Sequence, residues 1–136
     1  MSNIEKTLSI IKPDAVERNL ESEIKETFKN HGFQILKEKK IQIERSEAEK
    51  FYKIHETKPF YNDLCEYLSS GPIVAMVLQK ESAVKENREL MGATNPKDAK
   101  DGTIRKKYGI SIDKNSVHGS DSVDNAEIEI DFFFKD

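Results

Sequence analysis

The residues best suited to chemistry lie together in the stretch Asn115-Ser116-Val117-His118-Gly119-Ser120-Asp121-Ser122. A neutral imidazole nitrogen is a nucleophile near pH 7 and can carry a transferred group. Val117 is the only sizeable apolar side chain here, so hydrophobic burial alone cannot hold the stretch inside, and the sequence predicts an exposed His118. Gly119 allows a turn or a close backbone approach. Ser120, Asp121 and Ser122 are suited to capping a helix that starts near Val123.

Upstream, Met91-Gly92-Ala93-Thr94-Asn95-Pro96 and Gly102-Thr103-Ile104-Arg105 lie in a lysine- and aspartate-rich segment where periodicity fades. Long irregular segments in compact domains usually have a function. Arg88 and Arg105 offer forked donors that match phosphate oxygens, and Thr94 adds a hydroxyl. Neither a Walker loop nor a Gly-x-Gly-x-x-Gly fingerprint is present, so the common nucleotide-binding folds are not indicated.

These side chains need a scaffold. Thr7 to Ile11 reads as a strand that stops at Lys12-Pro13-Asp14, because proline cannot donate to a central ladder. Lys12 therefore stands at a strand end. Leu20, Ile24 and Phe28 share one face of a helix ending at His31-Gly32. Residues 33–43 read as a strand whose mixed faces call for a bulge or an exposed edge. Ser46 and Glu49 form a candidate capping box for a helix carrying Ala48, Phe51, Tyr52 and His55 and broken by Pro59. A further helix begins near Phe60. Ile73 to Leu78 is continuously apolar and reads as a central strand buried on both faces. A helix follows from Ser82, then the irregular segment over 92–115, a very short strand at Val117, and a terminal helix through Val123, Ala126, Ile130 and Phe133.

This order predicts one domain over 1–136, an α+β sandwich of the ferredoxin-like kind. Its four-stranded antiparallel sheet would carry helices on one face; a small doubly wound sheet is the alternative. With 136 residues, 36% hydrophobic and 35% charged, the chain can bury a core without staples. A net charge of -3 disfavours general nucleic-acid binding, and any anion site must be a local basic cluster. The single cysteine, Cys65, rules out an internal disulfide. No apolar run approaches membrane length and the first residues lack a signal-peptide pattern, so a soluble cytoplasmic protein is expected.

The blocks Lys12-Pro13-Asp14-Ala15-Val16, Met91 to Pro96, Gly102 to Arg105 and Asn115 to Ser122, in that order, resemble nucleoside diphosphate kinase. The resemblance runs from about Lys6 to Phe134. It implies a ferredoxin-like core and reversible γ-phosphate transfer from a nucleoside triphosphate such as ATP or GTP to a nucleoside diphosphate. The route it implies is ping-pong through phosphohistidine. His118 matches the nucleophile, phosphorylated on Nδ1, and Glu129 the carboxylate on the other ring nitrogen. Ser120 matches the hydroxyl that bonds toward Glu129, and Tyr52 a hydroxyl near the nucleophile. Lys12 matches the group that holds the ribose hydroxyls and reaches toward the moving phosphate. Asn115 matches the 3′-hydroxyl partner, and Phe60 the ring on which the base stacks. Arg88, Thr94 and Arg105 match phosphate ligands, and His55 aligns with a phosphate contact of some members. The resemblance also implies Mg²⁺ held mainly by nucleotide and water, with Asp121 as a water-mediated contact, and a homotetramer or homohexamer. One departure is Ser22, where the family usually has glycine; another is a short C-terminus. A non-catalytic nucleotide- or nucleic-acid-binding module of the same fold is the competing function. The presence of His118, Lys12, Arg88 and Arg105 and the acidic balance argue against it.

Overall fold

The computed structural model describes residues 4–111 and 114–134. Strand β1 (Ile4–Ile11) lies inside a four-stranded sheet ordered β2-β3-β1-β4, with β2 at Gln34–Ile41, β3 at Ile73–Glu81 and β4 at Val117–Gly119. All three pairings are antiparallel. This is the ferredoxin-like arrangement, and it excludes the doubly wound alternative, which needs parallel neighbours. The expected bulge in β2 lies between Ile35 and Lys37. The lysines of this edge strand, Lys37, Lys39 and Lys40, are exposed, which protects the edge from pairing.

The sheet is covered on both faces, not on one as the sequence suggested. Ile11, Val74, Met76 and Leu78 pack against α2 (Glu21–Asn30) through Ile24 and Phe28, and against α5 (Ala83–Met91) through Leu90 and Met91. The opposite parity, Leu8, Ile10, Ile73 and Ala75, packs against Ala48 of α3 (Arg45–Phe51) and against Cys65 and Leu68 of α4 (Tyr61–Leu68). Phe133 of α7 (Val123–Phe134) closes that side. Strands apolar on both parities, as β3 is, need two helical layers.

Several boundaries move. The capping box sits two residues earlier than expected: the Glu47 carboxylate accepts the Glu44 amide, so α3 starts at Arg45 and ends at Phe51. Tyr52 caps it, and a 3₁₀ turn over Lys53–His55 follows. Ser82 takes a left-handed conformation (φ 54°) and offers no side-chain cap. The 92–115 segment is less irregular than its composition suggests. A 3₁₀ turn at Pro96–Asp98 and helix α6 (Ile104–Tyr108) lie within it, the latter capped by Thr103 Oγ1 accepting the Lys106 amide at 3.3 Å. Ser22 falls in the exposed first turn of α2. Short helix α1 (Pro13–Glu17) begins on Pro13, which suits a first helical position.

Candidate active site

His118 sits in the middle of β4, paired across to Ile10 of β1. Its neighbours were expected to be accessible, yet Asn115 (1% exposed) and Ser116, Val117 and Ser120 (each 0%) are buried. Hydrogen bonding does what apolar area could not. Ser120 Oγ accepts the Leu8 amide at 3.3 Å and donates to Glu129 Oε1 at 2.8 Å. Lys12 N donates to Ser116 O at 2.8 Å. The turn predicted after the strand is present, with Ser122 Oγ accepting the Asn125 amide at the start of α7.

The His118 side chain is only 20% exposed. Glu129, one turn and a half into α7, places Oε1 at 3.0 Å from His118 Nε2. One carboxylate oxygen thus serves both Ser120 and the imidazole, which sets the ring's orientation and favours a proton on Nε2. Two rings wall the imidazole: Phe51 edge-on at 5.3 Å between centroids, and Tyr52 at 6.5 Å. Burial first, and the Glu129 charge second, push the Tyr52 phenol well above its usual range, so it stays a hydroxyl. Phe51 was not among the expected site residues. In the sequence it is only a member of a helical stripe, and its place at the end of α3 brings it to the histidine.

Gly119 is required by packing. A Cβ there would lie 2.8 Å from Met91 Cε and run into the Asn87 side-chain amide. Gly92, at the end of α5, has φ 87°, and a Cβ there would lie 2.6 Å from Thr103 Oγ1. These two glycines let β4 and the loop after α5 lie directly against their neighbours.

Lys12 and Asn115 meet, as Lys12 Nζ donates to Asn115 Oδ1 at 2.9 Å while Asn115 Nδ2 donates to Thr94 O at 3.0 Å. Thr94, Arg88, Arg105 and Asp121 line a cleft of about 860 Å³ along α5. His118 is not in the lining. Arg105 connects the two places, donating from its terminal nitrogens to Gly92 O (3.1 Å) and to Val117 O (2.9 Å), the carbonyl just before His118. Its buried Nε has no partner among the described residues. Burial, and then the nearby Arg88 cation, push the Arg105 guanidinium down to about 10, partly opposed by Tyr52. A cation crowded by a second cation and short of solvent gains from a bound anion.

Phe60, at the N-terminus of α4, is 43% exposed, and its ring lies 5.8 Å from His55. His55 is in turn 6.3 Å from Tyr52. A row of rings therefore leads from the surface at Phe60 to His118. Asp121 is exposed and accepts from Asn125 Nδ2 at 2.6 Å. Among the described residues no group of three or more His, Cys, Asp or Glu could hold a metal ion.

The geometry can be set beside known proteins. A sequence profile of the nucleoside diphosphate kinase family matches residues 5–136. The nucleoside diphosphate kinase of Campylobacter jejuni is 56% identical over 132 residues, which cover 97% of this chain and 96% of that protein. That of a Nitratiruptor species is 56% identical over 131 residues, 96% of each chain. A crystal structure of the Aquifex aeolicus nucleoside diphosphate kinase superposes with a TM-score of 0.95 at 40% identity, covering 97% of this chain and 96% of that one. The class so defined is a phosphotransferase on a ferredoxin-like sheet. The chain belongs to the nucleoside diphosphate kinase family. Its activity is reversible transfer of the γ-phosphate of a nucleoside triphosphate to a nucleoside diphosphate.

Proposed function

We propose that the transfer runs through His118 phosphorylated on Nδ1. The observation that carries this is the 3.0 Å contact between His118 Nε2 and Glu129 Oε1, which engages one ring nitrogen and leaves Nδ1 as the nucleophile. In the first half, Nδ1 attacks the γ-phosphorus, the P–N bond forms, the bond to the bridging oxygen breaks, and the nucleoside diphosphate leaves with that electron pair. In the second half, the terminal oxygen of another diphosphate attacks the phosphohistidine and the imidazole leaves. Glu129 stabilises the positive charge that develops on the ring as the P–N bond forms and is relieved as it breaks, and Ser120 holds Glu129 in place. One site serving both nucleotides in turn suits a ping-pong route.

The remaining assignments follow position. Lys12 and Asn115, already bonded, hold the ribose hydroxyls, with the Lys12 ammonium reaching the moving phosphate. Phe60 stacks the base; a π-face accepts any base, which suits broad nucleotide use. Arg88, Thr94 and Arg105 hold the phosphates, with His55 beside them, and the Tyr52 hydroxyl orients the group at His118. Most of this is positioning and charge neutralisation, as phosphoryl transfer requires. Magnesium fits as an ion carried by the nucleotide phosphates and water, with exposed Asp121 in the cleft lining as a water-mediated contact. When bound it neutralises phosphate charge. We also infer a cytoplasmic enzyme of one domain that works as a homotetramer or homohexamer, to be checked by native mass measurement and cell fractionation.

Incubation with γ-labelled ATP followed by mild acid tests the nucleophile. Wild type takes up acid-labile label and His118→Ala does not. Equal labelling of the two proteins, or equal turnover, refutes it.

A further inference from the structure

The Lys12-Pro13-Asp14 motif contains a residue that the reaction does not use. Asp14 is a carboxylate only 5% exposed, and three side chains converge on it. The Tyr67 hydroxyl donates to Asp14 Oδ1 and accepts the Asp14 amide at 2.8 Å. Arg18 Nη2 lies 3.0 Å from Asp14 Oδ2, and Ser116 Oγ donates to the same oxygen at 3.3 Å. Arg18 Nη2 also reaches Tyr108 O (2.7 Å) and Ser116 Oγ (3.2 Å). Burial, and then the bond to Asp14, push the Tyr67 phenol well above its usual range, so its hydroxyl keeps its proton.

This cluster ties together α1, α4 and the segment between α6 and β4. The backbones it clamps carry Lys12, two residues before Asp14, and Asn115, one residue before Ser116. Ser116 itself has φ 76°, a left-handed conformation that a serine adopts only when its surroundings impose it. The Lys12 amide bonds to the Ser116 carbonyl at 2.8 Å, and beyond it the two side chains meet at 2.9 Å. A strained residue held by a buried carboxylate, next to a residue that must meet its ligand within tenths of an ångström, is a positioning device.

We propose that Tyr67, Asp14, Arg18 and Ser116 are positioning residues that set the Lys12–Asn115 pair for the ribose 3′-hydroxyl. They touch no substrate. The inference rests on the reading of Lys12 and Asn115 as the ribose-binding pair.

The test compares kcat/KM for a nucleoside diphosphate and its 3′-deoxy analogue as phosphate acceptors. Full-length wild type, Tyr67→Phe, Ser116→Ala and Lys12→Met are each assayed at saturating ATP. Wild type is expected to favour the 3′-hydroxyl strongly, and Lys12→Met to lose most of that preference. Tyr67→Phe removes one hydroxyl and orphans the Asp14 amide. It is expected to lower the preference about tenfold, the scale of one misplaced hydrogen bond, with little change toward the 3′-deoxy analogue. Ser116→Ala, which leaves Tyr67 and Asp14 paired, is expected to shift the ratio the same way and keeps the test valid if Tyr67→Phe does not fold. A purely structural cluster would slow both acceptors by one factor and leave the ratio at the wild-type value, which overturns the proposal. Absence of any 3′-hydroxyl preference in wild type would instead overturn the ribose reading beneath it.

Discussion

Replacing Glu129 separates orientation from charge. Its Oε1 takes two hydrogen bonds, from Ser120 Oγ at 2.8 Å and from His118 Nε2 at 3.0 Å. Glu129→Gln keeps an oxygen that can accept both but removes the negative charge. Glu129→Ala removes the acceptor altogether. A hydrogen bond to a charged group contributes about 1.5–3 kcal/mol, against about 0.5–1.5 kcal/mol for a neutral pair. The glutamine variant therefore loses about 1–1.5 kcal/mol of transition-state stabilisation, a slowing of roughly 5- to 13-fold. The alanine variant loses the full bond, roughly 10- to 150-fold, and frees the imidazole to rotate. Single-turnover phosphorylation by ATP, quenched on the millisecond scale and read as protein-bound phosphate, measures these rates without product release. Two results would refute the reasoning. If both variants react within twofold of wild type, Glu129 does not act through His118. If glutamine is as slow as alanine, holding the ring is not separable from the charge.

Further outcomes follow from the same geometry. Gly119→Ala places a methyl against Met91 and Asn87; overpacking of this kind costs about 1–3 kcal/mol, so thermal denaturation is expected to show Tm lowered by roughly 3–12 °C, with slower phosphorylation of His118. Arg105 has a folded pKa of about 10, below its ordinary 12.5. Between those values the unfolded chain holds the extra proton, so this group's contribution to stability rises with pH there, and anion binding near pH 10 draws in a proton. Calorimetry of nucleotide binding in two buffers of different ionisation enthalpy should detect that uptake, and identical heats would argue against it. Lys80 holds the Glu86 carboxyl below its ordinary 4.5, first through a hydrogen bond and then through its charge. The stability this contributes is complete above that value and fades as pH falls through the lower folded one. In Lys80→Met the Glu86 carboxyl is expected to titrate higher, as an NMR pH titration would show.

Local chemistry in the chain was readable where it depended on residue type and short spacing. The strand stop at Pro13, the helix end at Gly32, the bulge in β2 and the turn after Gly119 all follow from the properties of single residues. The family blocks pointed to His118, Lys12, Asn115 and Arg105 as candidates, with Arg88 just ahead of the second block. What could not be read was contact between distant parts. Tyr67 and Asp14 are 53 positions apart, and nothing in either neighbourhood links them. The 115–120 stretch looked too polar to be buried, because its burial depends on bonds from Leu8, Lys12 and Glu129, and hydropathy carries no record of partners. Phe51 read only as one member of a helical stripe with Ala48, Tyr52 and His55, and such a stripe does not say which ring a member will face. The second helical layer was half legible: the continuous apolar run of β3 implied a strand buried on both faces, while a sandwich with helices on one face did not carry that through.

One atom, Nδ1 of His118, decides the mechanism. Phosphoenzyme made from ATP, purified at alkaline pH and examined by phosphorus and proton NMR for the substituted ring nitrogen, tests it directly. The geometry predicts one phosphate per chain, on Nδ1 of His118, with Nε2 still bonded to Glu129. Phosphate on Nε2, or on any other side chain, would contradict it.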